Sequence, residues 1–174
     1  MEKKFKLRKI SMSSKDNLKA AFTGESMANR TYLAFAKKAD EEGYHQIAKL
    51  FRAAAAAETV HAFNHFQRMG GIGTTMDNLK DAINGETYEF TKMYPKFIEE
   101  AKEEGDNRAL WSFEVANKVE KIHAGLYEKA LDEIGKNEDV DYYVCSICGY
   151  TTEGEPHGKC PICGASASKF EKVD

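Results

Sequence analysis

Proline and tryptophan are scarce in this chain, with three and one respectively among 174 residues. So few prolines impose few obligatory breaks, and long helices are permitted over most of the length. No apolar run approaches the ~20 residues needed to span a bilayer. The basic segment 1–12, with Lys3, Lys4, Lys6, Arg8 and Lys9, lacks the apolar stretch of a secretory signal. Neither charge sign dominates: the formal net charge is −3, which gives nucleic acid and anionic membranes no reason to bind. A cytoplasmic protein without nucleic-acid or membrane partners is the expectation. Cysteine is absent from the first 144 residues, so no disulfide framework supports the bulk of the fold.

What is present is rich in Ala, Glu, Lys and Leu, and four stretches carry the i, i+3, i+4 rhythm of amphipathic helices. Residues 15–42 place Leu18, Phe22, Glu25, Tyr32, Ala36 and Ala39 on one face, and residues 45–69 place Ile47, Leu50, Ala54, Glu58, His61 and His65. Residues 76–104 align Leu79, Ile83, Glu86, Glu89, Met93, Phe97 and Ala101, with Pro95 expected to kink or locally widen the helix. Residues 108–134 align Leu110, Phe113, Glu120, His123, Tyr127 and Leu131. Gly43 and Gly105 are expected to close tight turns between helices. The run of alanines at positions 53–57 suggests close helix packing.

The chain also repeats itself. Ala39-Asp40-Glu41-Glu42-Gly43 recurs as Ala101-Lys102-Glu103-Glu104-Gly105, and Glu58-x-x-His61-Ala62 as Glu120-x-x-His123-Ala124, both 62 residues on. Gly24-Glu25-Ser26 recurs as Gly85-Glu86-Thr87 at a spacing of 61. Two copies of one helical hairpin, related by an approximate two-fold axis, account for this and suit a site with two metals.

The charges on these stripes fall where charges are costly. Glu25, Glu58, Glu86 and Glu120 occupy inward positions, where an unpaired carboxylate costs several kcal/mol or shifts its pKa. Glu25 and Glu58 lie 18 and 15 residues from the turn at Gly43. Those separations correspond to heights of about 27 and 22 Å, near enough for one layer. Glu58/His61 and Glu120/His123 are i, i+3 pairs on one helical face. A lone Glu-x-x-His reads better as a surface ion pair. Two symmetric copies in one layer with two further glutamates form the ligand set of ferritin-like di-iron or di-manganese bundles. Glu89, one turn beyond Glu86, adds a fifth carboxylate.

After a charged linker the pattern breaks. We divide the chain into a bundle, residues 1–137, and a small module, residues 138–174. All four cysteines lie in the module, as Cys145-Ser-Ile-Cys148-Gly and Cys160-Pro-Ile-Cys163-Gly. This spacing argues for a tetrahedral tetrathiolate metal site, which takes zinc or iron. The glycine after each pair frees backbone N–H groups to point at sulfur. Beside a redox di-iron site, iron is favoured, because zinc cannot relay electrons.

Several segments together resemble the rubrerythrin family, over essentially the whole chain. They are residues 21–28 (AFTGESMA), Glu58-x-x-His61, Gly85-Glu86-Thr87-Tyr88-Glu89, Met93-Tyr94-Pro95, Glu120-x-x-His123 and the two rubredoxin-like knuckles. The resemblance implies a mainly α fold, a ferritin-like four-helix bundle followed by a rubredoxin-like domain. It implies an oxo- and carboxylate-bridged di-iron centre held by Glu25, Glu58, His61, Glu86, Glu89, Glu120 and His123. A mononuclear Fe(Cys)4 centre on Cys145, Cys148, Cys160 and Cys163 completes the expected cofactors. Glu89 and His61 are expected to compete for one iron, and Tyr32 and Tyr94 to hydrogen-bond around the pair, either as proton donors or as satisfied core tyrosines. The implied activity is a non-haem peroxidase that reduces hydrogen peroxide in oxidative-stress defence. Its redox donor is expected to be an NAD(P)H-linked rubredoxin or flavoprotein system, and its assembly a homodimer or larger homo-oligomer. An iron-handling ferroxidase is the alternative. The last helix runs 11 to 13 residues past His123, about 16–20 Å. The cysteine module is therefore expected at the bundle end, away from its own chain's metal layer, with electrons passing between chains.

Overall fold

The structure, a computed structural model, describes residues 13–173; the basic segment 1–12 lies outside them. Its helices start where side chains satisfy the first backbone N–H groups. Helix α1 (Ser14–Glu41) begins at Ser13, whose hydroxyl accepts the Asp16 N–H while the Asp16 carboxylate accepts the Ser13 N–H. Thr74 and Asp77 make the same reciprocal pair at α3 (Thr75–Tyr88). Asp106 caps α5 (Asn107–Asp132) by accepting from the N–H groups of Arg108 and Ala109. Each reciprocal cap contributes about 1 kcal/mol. No helix among the described residues is long and apolar enough to cross a membrane.

The chain divides into two compact units, residues 1–73 and 74–174. In the first, α1 and α2 (His45–Arg68) form an antiparallel hairpin whose tight turn uses Gly43 in the left-handed region. The seam is lined by alanines. Ala36 and Ala39 of α1 meet a stripe on α2 in which Ala48, Ala55 and Ala62 recur every seven residues. Only small side chains let two backbones approach so closely. Asn29 reinforces the seam, donating to the Ala55 carbonyl at 2.7 Å and to Thr59 Oγ1 at 2.9 Å. This corrects the expected stripe on α2: Ile47 and Leu50 are 48% and 67% exposed. The inward position is Ala48, one residue from Ile47 and so rotated by about 100°. Of the alanine run at 53–57, Ala55 is the buried member.

The second unit opens with α3, which passes through a π-helical turn (Glu89–Met93) into α4 (Tyr94–Glu104). Pro95, at the start of α4, has no N–H for a regular α-helical bond, and the widened turn lies just before it. The turn also explains the unequal repeat. Glu86 lies 19 residues before Gly105, whereas Glu25 lies 18 before Gly43. A π-turn absorbs one inserted residue without ending the helix. Along α5, Val115, Val119 and Ala124 are buried, and Tyr94, Phe97 and Phe113 form an aromatic cluster with centroids 5.5–6.3 Å apart.

Beyond α5 the chain reverses. Gly135 takes a positive φ, and Asn137 Nδ2 donates to the Ala130 carbonyl at 3.0 Å. The module then forms a three-stranded antiparallel sheet, β1 (Tyr142–Cys145), β2 (Thr151–Glu153) and β3 (Phe170–Val173), in the order β2-β1-β3. Tyr142 pairs with Glu153 and with Val173, and Cys145 with Phe170. Strand β2 lies along α5. Lys129 Nζ reaches both Glu153 oxygens at 2.7 and 2.9 Å, and a Cβ on Gly149 would stand 3.9 Å from Val119 Cγ1. The architecture is thus mainly helical, followed by a small three-stranded module that carries the four cysteines.

Candidate metal centres

The four sulfurs of Cys145, Cys148, Cys160 and Cys163 lie within 4.8 Å of one another. Cys145 and Cys163 are 3.8 Å apart, and Cys148 and Cys160 are 3.6 Å apart. A tetrahedron with metal–sulfur bonds of about 2.3 Å has edges of about 3.8 Å, so the cage fits a single ion. The two knuckles fold alike. The Gly149 N–H donates to the Cys145 carbonyl and the Cys145 N–H to the Tyr150 carbonyl; Gly164, Cys160 and Ala165 repeat the pattern. Gly149 and Gly164 have φ of +82° and +76°, a region that costs an L-residue about 1–2 kcal/mol. That turn aims N–H groups at sulfur. Burial pushes the Cys160 thiol up, but the N–H groups of Cys163 and Ile162 together with the Cys148 and Cys163 side chains bring it down to about 7. Burial raises the Cys148 and Cys163 thiols, opposed by the N–H groups of Tyr150 and Ala165. Cysteines packed this closely share protons badly, and a cation resolves the conflict.

The hairpin of α1 and α2 brings together Glu25, Glu58 and His61. Their donor atoms lie within 4.8 Å of one another, with His61 Nδ1 2.8 Å from Glu58 Oε2. The i, i+3 spacing of the pair sets that distance. The His61 side chain is 55% exposed, and that of Glu58 is 19% exposed. Tyr32, on the same helix as Glu25, stacks on Phe51 at 6.2 Å.

The second unit repeats the arrangement and extends it. Glu86, Glu120 and His123 form a like group, with His123 Nδ1 2.8 Å from Glu120 Oε2 and 3.9 Å from Glu86 Oε1. Burial pushes the Glu86 carboxyl up to about 7, the charge of Glu120 adds to this, and His123 opposes it. Glu89 is raised by burial and then by Glu120. The Tyr94 hydroxyl is raised by burial and then by the charges of Glu120, Glu89 and Glu86. His123 is raised chiefly by its hydrogen bond to Glu120, with burial opposing. Three carboxylates, a histidine and a tyrosine thus share one region of α3, the π-turn, α4 and α5. Crowded carboxylates that resist ionisation become favourable once a cation neutralises them. These are carboxylate and histidine groups suited to a di-iron centre.

The expected position of the cysteine module is corrected here. Rather than standing off the end of α5, β2 returns along it, and Thr151 Oγ1 lies 3.0 Å from His123 Nε2. The physical reason is the reversal at Gly135, held by the Asn137 and Lys129 bonds. Thr151 was not among the candidate residues. It is 28 positions from His123, and nothing in local periodicity connects the two.

The chain is similar to known proteins over nearly its whole length. Residues 16–131 match the family described as Rubrerythrin, and residues 143–171 match its rubredoxin-like domain. Rubrerythrin-2 of Clostridium acetobutylicum is 39% identical over 90% of this chain and 94% of its own. Nigerythrin of Nitratidesulfovibrio vulgaris is 41% identical over 87% and 82%. A solved structure of nigerythrin in its fully reduced, all-ferrous state superposes with a TM-score of 0.57 at 38% identity, covering 95% of this chain and 89% of that one.

Proposed function

Because the chain belongs to the rubrerythrin family, we propose that it is a hydrogen peroxide reductase that takes its electrons through the four-cysteine centre. The reaction is H2O2 + 2 e− + 2 H+ → 2 H2O. Glu25, Glu58, His61, Glu86, Glu89, Glu120 and His123 would hold the di-iron centre. When bound, the iron pair would supply two electrons and Lewis acidity toward the O–O bond. Cys145, Cys148, Cys160 and Cys163 would hold the third iron, which would supply one-electron transfer from an NAD(P)H-linked rubredoxin or flavoprotein donor. The working assembly is a homodimer or larger, and residues 1–137 and 138–174 are its functional divisions.

The remaining chemistry belongs to protons. Tyr94 is kept protonated by burial and by three carboxylates, so its hydroxyl is a donor beside the site rather than a competing anion. Tyr32 is the corresponding candidate on α1. Glu86, whose carboxyl sits at about 7 without a cation, is a second group able to hold a proton near neutral pH.

The single observation that carries this reading is the contact between Thr151, three residues after Cys148, and His123 of the carboxylate group. An iron-storage protein has no need of a tetrathiolate docked on a ligand histidine; an enzyme fed one electron at a time does. The same contact supports transfer from each cysteine module to the His123 group of its own chain. The test is steady-state turnover of iron-replete protein with an NADH-linked donor, with peroxide or dioxygen as oxidant. Turnover should be faster with peroxide and abolished in Cys145→Ser. Iron uptake without peroxide turnover would instead establish the ferroxidase alternative.

A further inference from the structure

We infer that Thr151 is a positioning residue: its hydroxyl selects which ring nitrogen His123 presents to a metal, and so joins the cysteine module to that metal. This rests on reading Glu86, Glu120 and His123 as metal-holding, as proposed above.

The argument follows one proton. Thr151 Oγ1 lies 3.1 Å from the Gly149 carbonyl and 3.0 Å from His123 Nε2. A carbonyl only accepts, so the hydroxyl spends its single proton on Gly149 and turns a lone pair to the ring. Nε2 must then be the donor. With its proton held on Nε2, a neutral imidazole carries its lone pair on Nδ1. Nδ1 is the nitrogen that faces Glu120 Oε2 at 2.8 Å and Glu86 Oε1 at 3.9 Å. In the metal-free site Nδ1 donates to Glu120, and a cation entering between those carboxylates displaces that proton alone, because the other is held on Nε2 by Thr151.

The same bonds form a continuous connection. Gly149 directly follows Cys148, so Cys148, the Gly149 carbonyl, the Thr151 hydroxyl and His123 are joined by one peptide link and two hydrogen bonds. The two hairpins differ here. His123 is 26% exposed with this support behind it, whereas His61 is 55% exposed. His123 is thus the histidine fixed from behind. Thr151 also lines a largely apolar cleft of about 350 Å3 with Leu79, Leu126 and Tyr127, so a methyl in place of the hydroxyl has room.

The test uses the full chain with iron in its four-cysteine centre, verified by colour, and compares wild type, Thr151→Val and Thr151→Ser. Cobalt(II) is titrated anaerobically against a chelator, which reads metal affinity without any turnover. Thr151→Val should weaken one cobalt equivalent about tenfold, and Thr151→Ser should return to within about twofold of wild type, in line with the usual effect of partners behind a ligand histidine. In zinc-loaded protein, the His123 Nε2 proton should exchange slowly in wild type and Thr151→Ser and fast in Thr151→Val. Two equivalents bound as tightly in Thr151→Val as in wild type would overturn the assignment, as would Thr151→Ser behaving like Thr151→Val. Because cobalt binding involves no peroxide, a failed peroxidase assay leaves these outcomes unchanged.

Discussion

Replacing Glu86 by glutamine should flatten the pH dependence of stability of protein stripped of metal at its carboxylate groups. Burial, and then the charge of Glu120, hold the Glu86 carboxyl at about 7 against an ordinary 4.5. A carboxyl raised on folding binds its proton more tightly in the native state. Its contribution is fully present below about pH 4.5 and is lost as pH rises through about 7. At 1.36 kcal/mol per unit, the full shift would correspond to about 3 kcal/mol. The side chain is 21% exposed, and water reaches the group, so screening reduces this to about 1–2 kcal/mol. For a chain of this length that is roughly 3–6 °C in Tm. The lowered carboxyls of Asp16, Asp40 and Asp77 contribute in the opposite sense, but only as pH falls below their ordinary 3.8. They leave the window clear. Thermal melts followed by circular dichroism at pH values either side of 7 should show wild type melting lower at the higher pH. Glu86→Gln should show a smaller difference and a higher Tm than wild type above neutrality. A wild-type Tm that rises with pH, or a Glu86→Gln slope equal to wild type, would refute the electrostatic reasoning.

Other perturbations separate the centres. Glu58→Ala should remove or cripple metal binding at the Glu25–Glu58–His61 group while leaving the red ferric tetrathiolate intact, as metal analysis and the visible spectrum will report. Cys145→Ser should do the reverse, losing the colour and keeping the metals of the carboxylate groups. Gly164→Ala, at φ +76°, should destabilise the cysteine module by about 1–2 kcal/mol and lower the temperature at which it loses its metal. Adding a cation to stripped wild type should raise Tm at neutral pH by more than it does in Glu86→Gln.

Much of this was legible in the sequence because it is local. Helix extents follow from periodicity and caps, and each Glu-x-x-His pair needs only one helical turn to bring its members to 2.8 Å. The cysteine cage follows from two short loops with a glycine after each pair. The repeat unequal by one residue was visible too, though its cause, a π-turn beginning at Glu89, was not. What escaped depends on rotation and on distant pairing. Ile47 and Ala48 differ by one residue, and hydrophobicity favours the wrong one, since the α1–α2 seam selects for small size. The return of β2 along α5 depends on a reversal at Gly135 and on side-chain bonds 7 to 28 residues apart. No composition or periodicity encodes those.

The central claim, that peroxide is reduced at a di-iron site fed by the tetrathiolate, is tested most directly by one rapid-mixing experiment. Fully reduced, iron-replete protein is mixed anaerobically with excess hydrogen peroxide, and the colour of the ferric tetrathiolate is followed. Colour should develop rapidly in wild type, as the cysteine iron refills the oxidised pair, and should be slow in Glu58→Ala, where the cysteine iron is present but the pair is not. Equal rates in the two proteins would mean that peroxide oxidises the cysteine iron directly, and would contradict the account.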